Sequence, residues 1–241
     1  AAWALTNMAS GTSTQCGVLI EAGIVTEFLP LLDSPTLDIV EQAIWCFGNL
    51  AGASPIRRDI CLAAGVMNKV VSIASNPAPR LTCLRNATWA ISNLCSGKPM
   101  PDFDMVAPAI PVLVHVLYSD DSGVQEAALW ALSYLTDGEN ENIQAVIEAG
   151  VVRRVTDLLA HTEQRVQTAA LRTVGNIVNG EDMQTQVCLD CGALPMIVML
   201  LSSPHRRSLS PTLHSVDDFP GVLYIVQHRC GQSSAKTSSD R

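Results

Sequence analysis

Aromatic residues are scarce. They make up 5% of the 241-residue chain, yet Trp is as frequent as Phe, with four of each. Long apolar runs are missing as well: hydrophobic residues come in short periodic groups, well below the roughly 20 consecutive residues of a membrane-spanning helix, so no membrane partner is expected. Basic charge is not in excess. The 15 basic and 23 acidic residues leave a net charge of −8, which argues against direct nucleic-acid binding and favours a basic partner. No glycine-rich phosphate loop and no nucleophile–base motif is found, and the five histidines are scattered, three of them beyond residue 204. The reading is of a protein without catalytic residues, cofactor or metal, and not an enzyme. The start, "AAWALTNMASG", lacks the basic and apolar regions of a signal peptide and reads as the interior of a helix, so the chain is expected to begin mid-structure. Cysteine is not lacking. Most of the eight lie inside apolar stretches and are read as reduced core residues of a cytosolic or nuclear protein. Cys188-x-x-Cys191 is the one close pair, and no second pair stands at zinc-like spacing.

What is present is a repeat. "AAWALTNMASG" returns as "AIWCFGNLAG", "ATWAISNLCSG", "ALWALSYLTDG" and "ALRTVGNIVNG", with Trp3, Trp45, Trp89, Trp130 and Arg172 at intervals of 42, 44, 41 and 42 residues. A second marker keeps the beat in "EAGIVTEFLPLLDS", "AAGVMNKVVSIAS", "EAGVVRRVTDLLAHT" and "DCGALPMIVMLLSS"; Ala109 stands where the third of these glycines belongs. A period of this size predicts an α-solenoid of the armadillo or HEAT kind. Each unit reads as a short helix closed by a left-handed glycine such as Gly65, a second helix stopped at Asp33-Ser34-Pro35, and a long motif helix. Three helices with a short first member favour armadillo. The expectation is an all-α, right-handed superhelical solenoid of about four to five units over residues 1–204, the first incomplete, followed by a Ser-rich, poorly ordered tail at 205–241. The apolar face around Met196, Val198 and Leu200 is expected to be partly exposed.

The motif helix carries the functional signal. In "IVEQAIWCFGNLAG", Ala43, Ile44, Phe47, Leu50 and Ala51 fall within an arc of roughly 120°, while Trp45 and Asn49 lie about 160° from its centre. Ala128, Ala131, Leu132 and Leu135 form the same stripe later, with Trp130 again opposite. Stacked repeats would align these pairs into two ladders on the concave face. Asn amides both donate and accept, as a peptide backbone requires. Indole faces suit the stems and charges of Lys or Arg. Glu41 and Asp137 would rim such a groove, with Glu181 and Asp182 further along. The ligand predicted from these features is a cationic peptide.

Over residues 1–204 these blocks closely resemble the importin-α family, adaptors that carry nuclear localisation signals. The resemblance implies a major signal-binding site at Trp3, Asn7, Gly11, Trp45, Asn49, Trp89, Asn93 and Trp130. It implies a central interruption at Tyr134 and Arg172, and a partial minor site at Arg172, Asn176, Val178, Gly180, Asp182 and Thr185. It also implies basic signal-bearing cargo, importin-β as partner of a full-length member, and residence in cytoplasm and nucleus. Three positions depart from the family pattern: Cys16 stands for a Thr and Ala53 for an Asp in the major lysine pocket, and Asn179 for a Thr in the minor site. Nothing within these 241 residues resembles the basic importin-β-binding segment of the family. The competing reading is a catenin-type armadillo scaffold of adhesion or signalling, whose grooves generally set basic residues against acidic ligands.

Overall fold

The computed structural model describes residues 2–202; the expectation for the tail at 205–241 lies outside them. The described residues are helical throughout, without a strand. The chain divides into two compact units, residues 1–138 and residues 139–241.

In the first unit, motif helix α1 (Ala2–Ala9) is followed by three helix trios: α2 (Ser13–Glu21), α3 (Ile24–Phe28) and α4 (Leu37–Ala53); α5 (Pro55–Ala63), α6 (Val66–Ala74) and α7 (Leu81–Cys95); α8 (Phe103–Val106), α9 (Ile110–Val116) and α10 (Ser122–Leu135). The second unit has α11 (Asn140–Glu148), α12 (Val152–Asp157) and α13 (Gln164–Val178), then α14 (Asp182–Asp190) and α15 (Ala193–Ser202).

The glycine marker acts as a corner. Gly23 and Gly65 have φ of 82° and 83°, and Gly150 and Gly192 have 76° and 85°, so each ends a short helix in the left-handed region and redirects the chain. Ala109, the one substitution in this series, keeps φ at −76°. There α8 is not cut off but runs through a 3₁₀ turn, Ala107–Ala109, into α9. The second helix of a trio also differs from one uniform α-helix: α3 tightens into a 3₁₀ segment over Leu29–Asp33. Pro30 has no N–H to continue the α ladder, and the chain shortens its turn at that residue.

The predicted stripe of α4 is the core. Ala43, Ile44, Phe47, Leu50 and Ala51 are all buried, as are Ala128, Ala131, Leu132 and Leu135 of α10. Cys46 and Gly48 are buried as well, although each projects about 100° from the stripe centre. Motif helices α1 and α7 both pack on α4, which leaves a narrow exposed strip along it. At α15, Val198 and Met199 are exposed and Met196 is half-buried. Leu200 corrects the expectation: it is 6% exposed and belongs to the core.

Ion pairs tie successive units of residues 1–138 together at their rims. Lys69 donates to Asp33 at 2.6 Å, and Arg80 to Asp38 at 2.6 Å. Arg85 grips Asp121 with two nitrogens, Nε at 3.0 Å from Oδ1 and Nη2 on Oδ2.

Candidate peptide-binding face

In the first unit the Trp/Asn positions sit on the strip opposite the core. Trp3 is 68% and Trp45 45% exposed. Asn7 is exposed, and Asn49 is half-buried. Trp89 and Asn93 on α7 are half-buried. The Asn93 amide donates to the Gly48 carbonyl of α4 at 3.0 Å, so one of its two N–H groups is committed to the neighbouring repeat. Trp130 is also half-buried and stacks on Tyr134, with ring centroids 6.2 Å apart and planes 27° from parallel.

Two polar atoms on this strip of α4 are buried without a hydrogen-bond partner: Nδ2 of Asn49 and Oε1 of Gln42. Gln42, Trp45 and Asn49 are spaced three and four apart and share one helix face. Turned outward, the Gln42 and Asn49 amides on either side of the exposed indole would offer an acceptor and a donor to a peptide backbone. Gln42 was not among the predicted site residues. Its signal was its place one turn before Trp45, where Asn86 stands relative to Trp89.

Around Gly11 the two departures from the family pattern bring no carboxylate. The Cys16 thiol is fully buried and turned inward, donating to the Ala9 carbonyl at 3.1 Å and lying 3.8 Å from the Gly11 carbonyl. Ala53 is exposed and brings no carboxylate. The two expected rim acids are engaged within the chain. Glu41 accepts from Thr82 at 2.6 Å and from Arg80 at 3.5 Å. Asp137 pairs with Lys98 at 3.4 Å.

In the second unit, Arg172 is half-buried and Asp182 exposed. Asn176 departs from the reading as a ladder residue: it is 6% exposed, because residues 173–178 of α13 are buried as a block. Val178 is buried too, and its carbonyl accepts from Thr185 Oγ1 at 3.2 Å. This bond repeats the Cys16–Ala9 contact, seven residues apart in both places. Gly180 leaves room for Gln184: a Cβ on it would fall 2.1 Å from Oε1 of that side chain. Gln184 donates onward to the Asn140 carbonyl at 2.8 Å.

Burial pushes the thiols of Cys46, Cys61, Cys95 and Cys188 up to about 12, so they stay protonated and unreactive at neutral pH. Among the described residues no group of three or more His, Cys, Asp or Glu is placed to hold a metal ion. No single described helix is long and apolar enough to cross a membrane.

Comparison with known proteins agrees with the repeat fold. The profile described as "Armadillo/beta-catenin-like repeat" matches residues 13–52, 105–137 and 139–178. Importin subunit alpha-2 of Arabidopsis thaliana is 53% identical over 161 residues, covering 67% of this chain and 30% of that protein. Importin subunit alpha-1b of Oryza sativa subsp. japonica is 51% identical over the same shares. The chain belongs to the importin-α family of armadillo-repeat proteins. It spans about 30% of the length of these importin-α relatives. Among solved structures, a designed armadillo repeat protein, YIII(Dq.V1)4CPAF in complex with the peptide (KR)4, is similar with a TM-score of 0.79 and 28% identity. That match covers 85% of this chain and 86% of the designed one.

Proposed function

We propose that the chain is the signal-binding portion of a nuclear import adaptor, and that the strip bearing Trp3, Asn7, Trp45, Asn49, Trp89 and Asn93 takes an extended, lysine- or arginine-rich peptide. The observation that carries this reading is the exposed Trp45 flanked by the unpartnered Gln42 Oε1 and Asn49 Nδ2. The chain's net charge of −8 has the sign a cationic ligand needs. The likeness to a designed protein holding (KR)4 supports the same ligand class. Trp130 and Gly11 extend the strip at its ends, while Glu41 and Asp137, already paired, contribute field rather than free contacts. In the second unit, Arg172, Val178, Gly180, Asp182 and Thr185 form the beginning of a minor site, with Asn176 as its buried support. Cargo proteins bearing basic signals are the partners, with importin-β joining the full-length adaptor, and the protein works in cytoplasm and nucleus. Its role is binding, without a catalytic step.

Isothermal titration with a lysine-rich signal peptide tests this, with the lysines replaced by alanine as control. Trp45→Ala should weaken binding. Ala53→Asp should tighten it about tenfold, equivalent to roughly 1.4 kcal/mol, by supplying the missing carboxylate. Equal affinity for the alanine peptide, or indifference to both substitutions, defeats the proposal.

A further inference from the structure

Gly48 and Gly52 stand four residues apart on α4, and Trp89 and Asn93 four apart on α7. A Cβ built on Gly48 would lie 2.3 Å from Cζ3 of the Trp89 indole, 2.8 Å from Cε3 and 2.9 Å from Cη2. One built on Gly52 would lie 3.2 Å from Nδ2 of Asn93 and 3.4 Å from its Cγ. The Asn93 amide also donates to the Gly48 carbonyl at 3.0 Å. The two glycines are thus a bare strip of backbone on which the next repeat's Trp/Asn pair lies.

We infer that Gly48-x-x-x-Gly52 is the positioning element for this pair, and that Gly48 in particular sets the tilt and depth of Trp89 and so the width of the slot between Trp45 and Trp89. The proposal rests on the peptide-binding reading of this strip. Glycine in a helix interior is unfavourable compared with alanine, so neither residue serves the helix itself. The residue at the position of Gly48 is small in every motif: Thr6, Gly48, Ser92, Ser133 and Gly175. All five are buried. At Gly48, where even a methyl is absent, the indole of the following unit sinks onto the backbone and is half-buried, whereas Trp45, which follows Thr6, stays 45% exposed. Trp130, which follows Ser92, is half-buried as Trp89 is, so the indole stands proud only after the β-branched Thr6, and it is the 2.3 Å approach at Gly48 that leaves no room for a Cβ there. The seat is a specificity device: a deep Trp89 beside a proud Trp45 leaves a wider step for a long cationic side chain than two proud indoles would.

The test uses the whole chain and the variants Gly48→Ala, Trp89→Phe, their combination, and Trp89→Ala for the titration. Gly17→Ala serves as control, since a Cβ there meets only Arg57 Nη2 at 3.6 Å. Acrylamide quenching resolves Trp89 as the difference between backgrounds with and without it. Titration with a (KR)4 peptide reads the slot. The expected result is a Trp89 more accessible to quencher in Gly48→Ala, folding cooperativity retained, and affinity about fivefold lower, while Gly17→Ala matches the parent in both readouts. Unchanged Trp89 quenching in Gly48→Ala overturns the seat. Raised quenching with unchanged affinity overturns the control of slot width, provided Trp89→Ala still weakens binding. If Trp89→Ala leaves affinity unchanged, the peptide-binding reading fails at this slot and the inference falls with it, a result that quenching alone cannot produce. Should Gly48→Ala not fold cooperatively, the combination with Trp89→Phe, whose smaller ring relieves the contact, should restore cooperative folding; failure of the combination to do so overturns the seat.

Discussion

At the residue scale, Arg58 shows how much depends on a distant neighbour. It is a fully buried cation. Its Nε and Nη2 both lie 2.8 Å from Asp59 Oδ1, and its Nη1 donates to the Ser96 carbonyl at 2.6 Å and the Gly97 carbonyl at 3.3 Å. It thereby fastens α5 to the turn that follows α7, one unit on. Arg58→Met keeps the bulk but leaves those carbonyls without this donor, at a cost of roughly 1–3 kcal/mol. Arg58→Ala adds a cavity and should lose more, about 3 kcal/mol or above. Asp59 stays half-exposed and can return to water, so no stranded charge inflates the loss. Urea denaturation measures both variants; a loss under about 1 kcal/mol in Arg58→Ala would remove the latch role. In "SPIRRDICLAA" nothing distinguishes Arg58 from Arg57, because the carbonyls that hold it lie 38 and 39 residues away.

At the element scale, faces were legible in the sequence and depths were not. The apolar stripe of α4, the left-handed glycine corners and the side on which Trp45 lies all follow from periodicity within one helix. The half-burial of Trp89, the pairing of Glu41 with Arg80 and the burial of Asn176 depend on what the next helix presents, which a single helix's pattern does not contain. The Arg85–Asp121 contact belongs to this class. Asp121 caps α10 by accepting from the Val124 N–H at 3.0 Å while Arg85 of α7 holds it from the other side. The Arg85 hydrogen bond is the main cause that holds its carboxyl below the usual aspartate range, against a smaller opposing effect of burial. A carboxylate whose folded-state value is depressed contributes stability that is present above its unfolded value, near 4, and is lost as pH falls through the folded one. Asp121→Asn keeps a capping oxygen but loses the ion pair, and Asp121→Ala loses both. The expected order of stability at neutral pH is parent, Asn, Ala, with the cap worth about 1 kcal/mol and the partly exposed ion pair up to about 1 kcal/mol. Thermal melts at pH 7 and pH 3 check this: the gap between parent and Asp121→Asn should narrow at the lower pH, and a gap that stays constant would rule out the linkage.

At the scale of the whole molecule, charge and contact have separate tasks. The acids expected to rim the Trp strip, Glu41 and Asp137, are held by Arg80, Thr82 and Lys98, so they are poor point partners for an arriving lysine. A net charge of −8 would nevertheless act at a distance in the proposed function, drawing cationic peptides in and turning acidic ones away. In the proposed binding mode a peptide would be retained by indole contacts and by bonds to the Gln42 and Asn49 side chains, which are short-ranged and only weakly screened. Screening by salt falls on the long-range part, with a Debye length of about 10 Å at 0.1 M shrinking to about 3 Å at 1 M. Stopped-flow mixing with a lysine-rich peptide should therefore show an association rate that drops several-fold between 50 and 500 mM salt, while dissociation changes little. Trp45→Ala should do the reverse, raising the dissociation rate and leaving the salt dependence of association intact. An acidic peptide of the same length should not bind at either ionic strength. If the acidic peptide binds and the lysine-rich one does not, the groove is of the catenin kind; if association proves indifferent to salt, the molecule's charge has no part in recruiting its ligand.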